Sequence, residues 1–138
     1  MSRRLNRMFV VIVGCGRMGR HVAETLGEAG NDVMVVDHSS DAFVHLSDTF
    51  TGFTHHGDAV EIETLGAAGV ARADALIACT GSDDVNLLVA RIASRVYEVP
   101  KVVVRAVDPL KEQFFEQMGF TTVCPLLLGA EAAINSLK

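Results

Sequence analysis

The stretch Gly14-Cys15-Gly16-Arg17-Met18-Gly19 constrains the fold of this chain more than any other. Before it, residues 8–13 form a short apolar, β-branched run that reads as a strand. After it, residues 17–29 place Met18, Val22, Leu26 and Ala29 on one helical face. A glycine-rich turn between a strand and a helix is a dinucleotide fingerprint when an acidic residue closes the next strand. Asp37 does so, 18 residues after Gly19, behind the apolar run 33–36. Each residue type has a physical task. Gly14 permits the tight turn, Gly16 lets the backbone approach a pyrophosphate, and Gly19 allows close helix–strand packing. The first amides of the helix then offer N–H donors and partial positive charge to a phosphate. Asp37 is expected to accept hydrogen bonds from ribose hydroxyls. Its charge disfavours a 2′-phosphate, which points away from NADP.

The rest of the chain repeats the same alternation. Strands are predicted at 33–36, 52–55, 75–79, 102–107 and 121–124, and helices at 41–48, 59–65, 84–96, 110–118 and 126–137. The strands are continuous apolar runs, as expected of strands buried on both faces. The pattern predicts an α/β, Rossmann-type, doubly wound parallel sheet of six strands, with two βαβαβ halves meeting near residue 70. At 138 residues the chain is one domain's worth of sequence, with no room for a substrate domain beside the cofactor domain.

Composition removes other classes. Forty-nine per cent hydrophobic residues and 21% charged residues exclude a disordered chain. Twelve Lys and Arg against 17 Asp and Glu leave a net charge of −5, without the basic footprint of a nucleic-acid binder. No apolar run approaches the ~20 residues of a membrane span. Arg3, Arg4 and Arg7 make a basic start, read either as a solvated tail or as a contact with acidic lipid or a partner. The three cysteines, Cys15, Cys79 and Cys124, are widely spaced and show neither zinc nor disulfide spacing, which fits a reducing cytoplasm.

Other chemical constellations are weaker. Arg17 stands in the first turn of the predicted helix, where a guanidinium can take a terminal phosphate; a plain solvated arginine is the alternative. Tyr97 and Lys101 stand four apart, but Pro100 lies between them and breaks the helical face that a Tyr–Lys proton relay needs. His55 and His56 are adjacent in a strand and so point to opposite faces, which argues against a shared metal ion. Cys15, at a helix N-terminus, could be acidified, or could simply fit the turn. No nucleophile–base arrangement or carboxylate pair stands out, so no catalytic residue is assigned.

With these residues in view, the chain resembles the nucleotide-binding (RCK/KTN, TrkA-N) domain of potassium transport regulators. The resemblance is carried by VIVGCGRMG at 11–19, VVDHS at 35–39, HGDAVEIETLGAAGVARADALIACTGSDDVNLLVA at 56–90, VVVRAVDP at 102–109 and MGFTTVCP at 118–125. It implies binding of NAD(H), ATP, ADP or AMP, and control of a membrane potassium channel or transporter. It implies dimers that assemble further. It also implies roles for Asp58 and Ala59 beside the adenine, and for Thr80 and Gly81 under the ribose and pyrophosphate. Arg105, costly to bury alone, needs a phosphate or an acidic partner such as Asp83 or Asp84. His38 could touch the ribose or a phosphate, or be a turn residue. Family members often carry a second, C-terminal domain, which a chain ending at Lys138 would lack; residues 1–138 are therefore expected to be one nucleotide-binding domain, cytoplasmic or peripheral at the inner membrane face. Two rival readings are a small NAD-dependent oxidoreductase and a nucleotide or redox sensor of another membrane transporter.

Overall fold

The computed structural model describes residues 7–138, so Arg3 and Arg4 lie outside it. Arg7 is not a bare tail residue, because its guanidinium pairs with Asp32 Oδ1 at 2.7 Å. The strands are β1 (Phe9–Val13), β2 (Asp32–Asp37), β3 (Phe53–His56), β4 (Ala75–Ala78), β5 (Lys101–Arg105) and β6 (Thr121–Val123). The α-helices are α1 (Arg17–Glu28), α2 (Ile62–Ala67), α3 (Asp83–Arg95), α4 (Pro109–Gln117) and α5 (Pro125–Asn135).

All strand pairs are parallel, in the order β3-β2-β1-β4-β5-β6. This is the doubly wound order, and it reverses direction beside β1, where β2 departs to one side and β4 to the other. Alternation along β1 divides the core. Val11 and Val13 face the cluster that holds Leu65 of α2 and Val89, Ile92 and Ala93 of α3. Val10 and Ile12 face the cluster packed against Met18, Val22, Ala23 and Leu26 of α1. A strand buried on both faces must be apolar at successive positions, which explains the unbroken FVVIV run. A third cluster, around Phe115, Val104 and Cys124, attaches α4 and β6.

Two predicted elements differ. The segment expected as a helix at 41–48 is a 3-10 turn, Ser40–His45, with i to i−3 hydrogen bonds from Ala42 to Ser39 and from Leu46 to Phe43. Its few apolar residues, Ala42, Phe43 and Leu46, already reach the core in this tighter form. The helix expected at 59–65 starts later, at Ile62. Asp58 opens a turn instead, accepting the Glu61 amide at its carbonyl and the Val60 amide at Oδ1. That turn leaves the segment after β3 open toward the end of β2.

Candidate functional site

The crossovers leave a cleft of about 630 Å³ above the C-terminal ends of β1, β2, β4 and β5. Ligands of open α/β sheets bind at this position, outside the strand ends at the topological switch. Five segments supply its walls. Gly14 and Gly16 come from the loop after β1, Asp37 and His38 from the end of β2, Asp58 and Ala59 from the turn after β3, and Thr80, Gly81 and Arg105 from β4 and β5.

The glycine loop is built by close packing. Gly14 has φ +108°, and a Cβ there would lie 2.9 Å from the Cys79 carbonyl oxygen and the Thr80 amide. A Cβ on Gly19 would collide with the Gly14 carbonyl oxygen, so helix α1 can approach the loop only through glycine. Gly16 differs, since nothing lies within 4 Å of a Cβ placed there. Its missing side chain leaves open space on the cleft side, where a phosphate chain needs it. Gly16 is also the N-cap of α1, and no side chain caps the helix, so its first amides are available to an anion.

The remaining predicted residues fall into place unequally. Asp37 Oδ2 accepts the Cys15 amide at 2.8 Å and Oδ1 accepts the Ser39 amide at 2.9 Å. His38 is 83% exposed, with Nδ1 3.4 Å from Asp37 Oδ1. Arg17 is exposed and does not line the cleft. Met18 packs into the core against β1 and β2 rather than facing a ligand. Cys15 is buried under the loop, its thiol directed at the Ala42 carbonyl. Burial raises the Cys15 pKa, with the nearby Asp37 charge adding to it, so the thiol is not acidified by the helix terminus. Burial pushes Cys79 up to about 12.

Arg105 has no acidic partner among the described residues. Its Nη1 donates a long bond, 3.4 Å, to the Thr80 carbonyl, and its buried Nε finds no acceptor. Asp83, expected as one candidate partner, is occupied elsewhere: it accepts the Val107 amide at 2.6 Å and the Asp108 amide at 3.0 Å. Asn86 was passed over in the sequence, although an amide inside an otherwise apolar helical pattern is the signal that marks it. It is fully buried and bonds to both Thr80 and Arg105.

The discounted pairs stay apart. The Tyr97 hydroxyl donates to the Ile62 carbonyl at 2.7 Å, while Lys101 opens β5. A ring nitrogen of His56 lies 3.0 Å from the His38 carbonyl. A second groove, of about 710 Å³, lies at the N-terminal ends of β5 and β6, among Arg91, Arg95 and Lys101. It is larger, but it has no glycine loop or helix N-terminus. The chemistry for a nucleotide is therefore at the switch point.

Comparison with known proteins agrees with this geometry. The TrkA-N domain family model matches residues 10–125. The Trk system potassium uptake protein TrkA of Streptomyces coelicolor is 32% identical over 130 residues, covering 94% of this chain and 58% of that protein. A TrkA homolog of Methanothermobacter thermautotrophicus is 33% identical over 116 residues, covering 84% of this chain and 53% of its own length. This chain thus spans little more than half the length of these relatives. Among solved structures, the AMP-bound Kef C-terminal domain of Shewanella denitrificans superposes with a TM-score of 0.80 at 26% identity, covering 94% of this chain and 79% of that one. The TrkA-N domain of the Escherichia coli inner membrane protein YbaL gives a TM-score of 0.83 at 18% identity, covering 94% and 96%, which shows a shared fold.

Proposed function

This chain belongs to the TrkA-N domain family, and from that premise we propose that it binds an adenine nucleotide and reports the bound state to a membrane potassium transport protein. The observation that carries the reading is the cleft itself. An open-sided glycine loop, an uncapped helix N-terminus, the Asp37 carboxylate and the unpaired Arg105 face one space. Arg105 and the helix amides suit phosphate, and Asp37 suits ribose hydroxyls. The AMP carried by the Kef relative, and the ADP carried by a more distant structural neighbour, GsuK, support the ligand class. The proposed ligands are NAD(H), ATP, ADP or AMP. NADP is disfavoured because its 2′-phosphate would meet the Asp37 carboxylate.

In this reading the residues act as one nucleotide-binding domain and the ligand is not consumed. The ionisable groups lining the cleft are Asp37, His38, Asp58, Arg105 and Cys79, whose thiol burial keeps neutral. Asp37 is committed to two backbone amides, and no nucleophile stands beside a base. No helix among the described residues is long and apolar enough to cross a membrane. The proposed placement is cytoplasmic, at the inner face of the membrane beside the transporter. Helix α5 presents Leu126, Leu128 and Ile134 to solvent, a surface that a second copy of the chain would cover.

The test is a calorimetric panel of AMP, ADP, ATP, NAD, NADH and NADP, paired with thermal shift, since a ligand that binds the folded state raises apparent stability. Binding of at least one adenine nucleotide without turnover is expected, with NADP weakest. No binding across the panel, or steady conversion of NADH, would reject the reading.

A further inference from the structure

Asn86 is the only fully buried polar side chain among the described residues, and all its hydrogen-bonding capacity is spent on the cleft. Its Oδ1 accepts the Thr80 amide at 2.8 Å and the Thr80 hydroxyl at 2.6 Å. Its Nδ2 donates to the Thr80 carbonyl and to the Arg105 carbonyl, both at 3.1 Å. Turning the amide over would set its NH₂ against the Thr80 amide and its oxygen against two carbonyls, so the orientation is determined by the partners. The Thr80 carbonyl therefore has two donors in the free chain. One is Asn86, short and buried; the other is the Arg105 guanidinium, at 3.4 Å. Arg105 holds this carbonyl weakly while its own Nε stays unsatisfied.

We propose that Asn86 is a positioning residue for the anionic end of the ligand: it keeps the Thr80 loop in place and its carbonyl satisfied, so that Arg105 is free to turn to a phosphate. Without Asn86, a guanidinium leaving for the ligand would strand a part-buried carbonyl, and that desolvation cost would come out of phosphate binding. The adenosine half, held mainly by the loops at Asp37 and Asp58, would feel the change less. The proposal rests on the nucleotide reading above and adds a residue outside the cleft wall to it.

The experiment is a double-substitution cycle on the whole chain, with ADP and adenosine affinities measured by calorimetry for the unaltered protein, Asn86→Ala, Arg105→Met and the double variant. Asn86→Ala is expected to weaken ADP by about tenfold and adenosine by much less. Asn86→Ala is expected to cause little further loss once Arg105 is Met, because the two act through one carbonyl. Equal weakening of ADP and adenosine, or an undiminished loss in the Arg105→Met background, would overturn the proposal. An unaltered chain that binds neither ligand would overturn the nucleotide reading as well, which separates the two failures. If the Asn86 variants do not fold, the unaltered chain still decides. By NMR, ADP should shift the Arg105 Nε–H resonance while both Asn86 amide protons stay slow to exchange. Asn86 amide protons that exchange freely in the ADP complex would overturn the proposal.

Discussion

The Cys15 amide donates to Asp37 Oδ2 at 2.8 Å, and this bond ties the glycine loop after β1 to the end of β2. With the Ser39 amide on Oδ1, the carboxylate braces both sides of the cleft before any ligand arrives. Each oxygen keeps a further lone pair for a hydroxyl. In the proposed reading one residue carries a structural and a binding task.

Asp37→Ala is therefore expected to do more than weaken nucleotide affinity. Losing hydrogen bonds to a charged acceptor should cost about 1–3 kcal/mol in folding and a similar amount in binding. Chemical denaturation and calorimetry on the same variant separate the two. A variant as stable as the original would deny the bracing role, and one that binds as tightly would deny the ribose role.

The glycines of the loop should divide by function. Gly19→Ala sets a methyl group against the Gly14 carbonyl and should destabilise the fold by about 3 kcal/mol or more. Gly16→Ala meets no neighbour, so stability should change by less than about 1 kcal/mol while nucleotide affinity falls. The idea fails if the two variants unfold at the same denaturant concentration.

The two arginines should read different parts of a phosphate chain. Arg105→Met removes a guanidinium with no acidic partner, one long bond to the Thr80 carbonyl and a buried, unsatisfied Nε, so the free chain should keep or gain stability while losing affinity for every phosphate-bearing ligand. Arg17 stands outside the cleft wall, where only a long tail can reach it. Arg17→Gln should weaken ATP more than AMP. Equal losses for both nucleotides would leave Arg17 as a solvated residue.

The cysteines set an alkaline limit. Cys79, raised from the ordinary 9.0 to about 12, is a neutral thiol in the folded chain and ionises more readily when unfolded. A group whose folded pKa is raised contributes stability that is complete below the unfolded value and fades as pH rises toward the folded one. Stability should therefore decline between about pH 9 and 12, and Cys79→Ser should flatten that decline. All three cysteines are buried, so thiol reagents at pH 8 should label the chain only as it unfolds. Fast labelling of the native protein would contradict this.

The uncovered face of α5 should govern assembly. Leu128 is 58% and Ile134 61% exposed, on a helix with no buried residue. Light scattering at tens of micromolar is expected to give at least a dimer, and Leu128→Asp with Ile134→Asp should yield monomers that still bind nucleotide. A monomeric parent chain would reject this role for the helix.

The strand–turn–helix at residues 8–29, the acidic residue closing β2 and the alternation of six strands were all legible from the amino-acid order. These features depend on neighbours in sequence: period of apolarity, glycine backbone freedom and a spacing of a few tens of residues. The doubly wound parallel class was legible too, while the order β3-β2-β1-β4-β5-β6 is given by the structure. Tertiary structure alone decided which charges are spent and which are free. Asp83 looked like a partner for Arg105, but it caps backbone amides 24 and 25 residues away. Arg17 was one candidate for a phosphate, and the structure leaves it exposed and outside the cleft lining. Asn86 drew no functional reading from the sequence, yet it joins Thr80 to Arg105, which is 19 residues further along the chain. A hydrogen bond across that distance is set by how β4, β5 and α3 stack. Local propensity carries no record of that stacking.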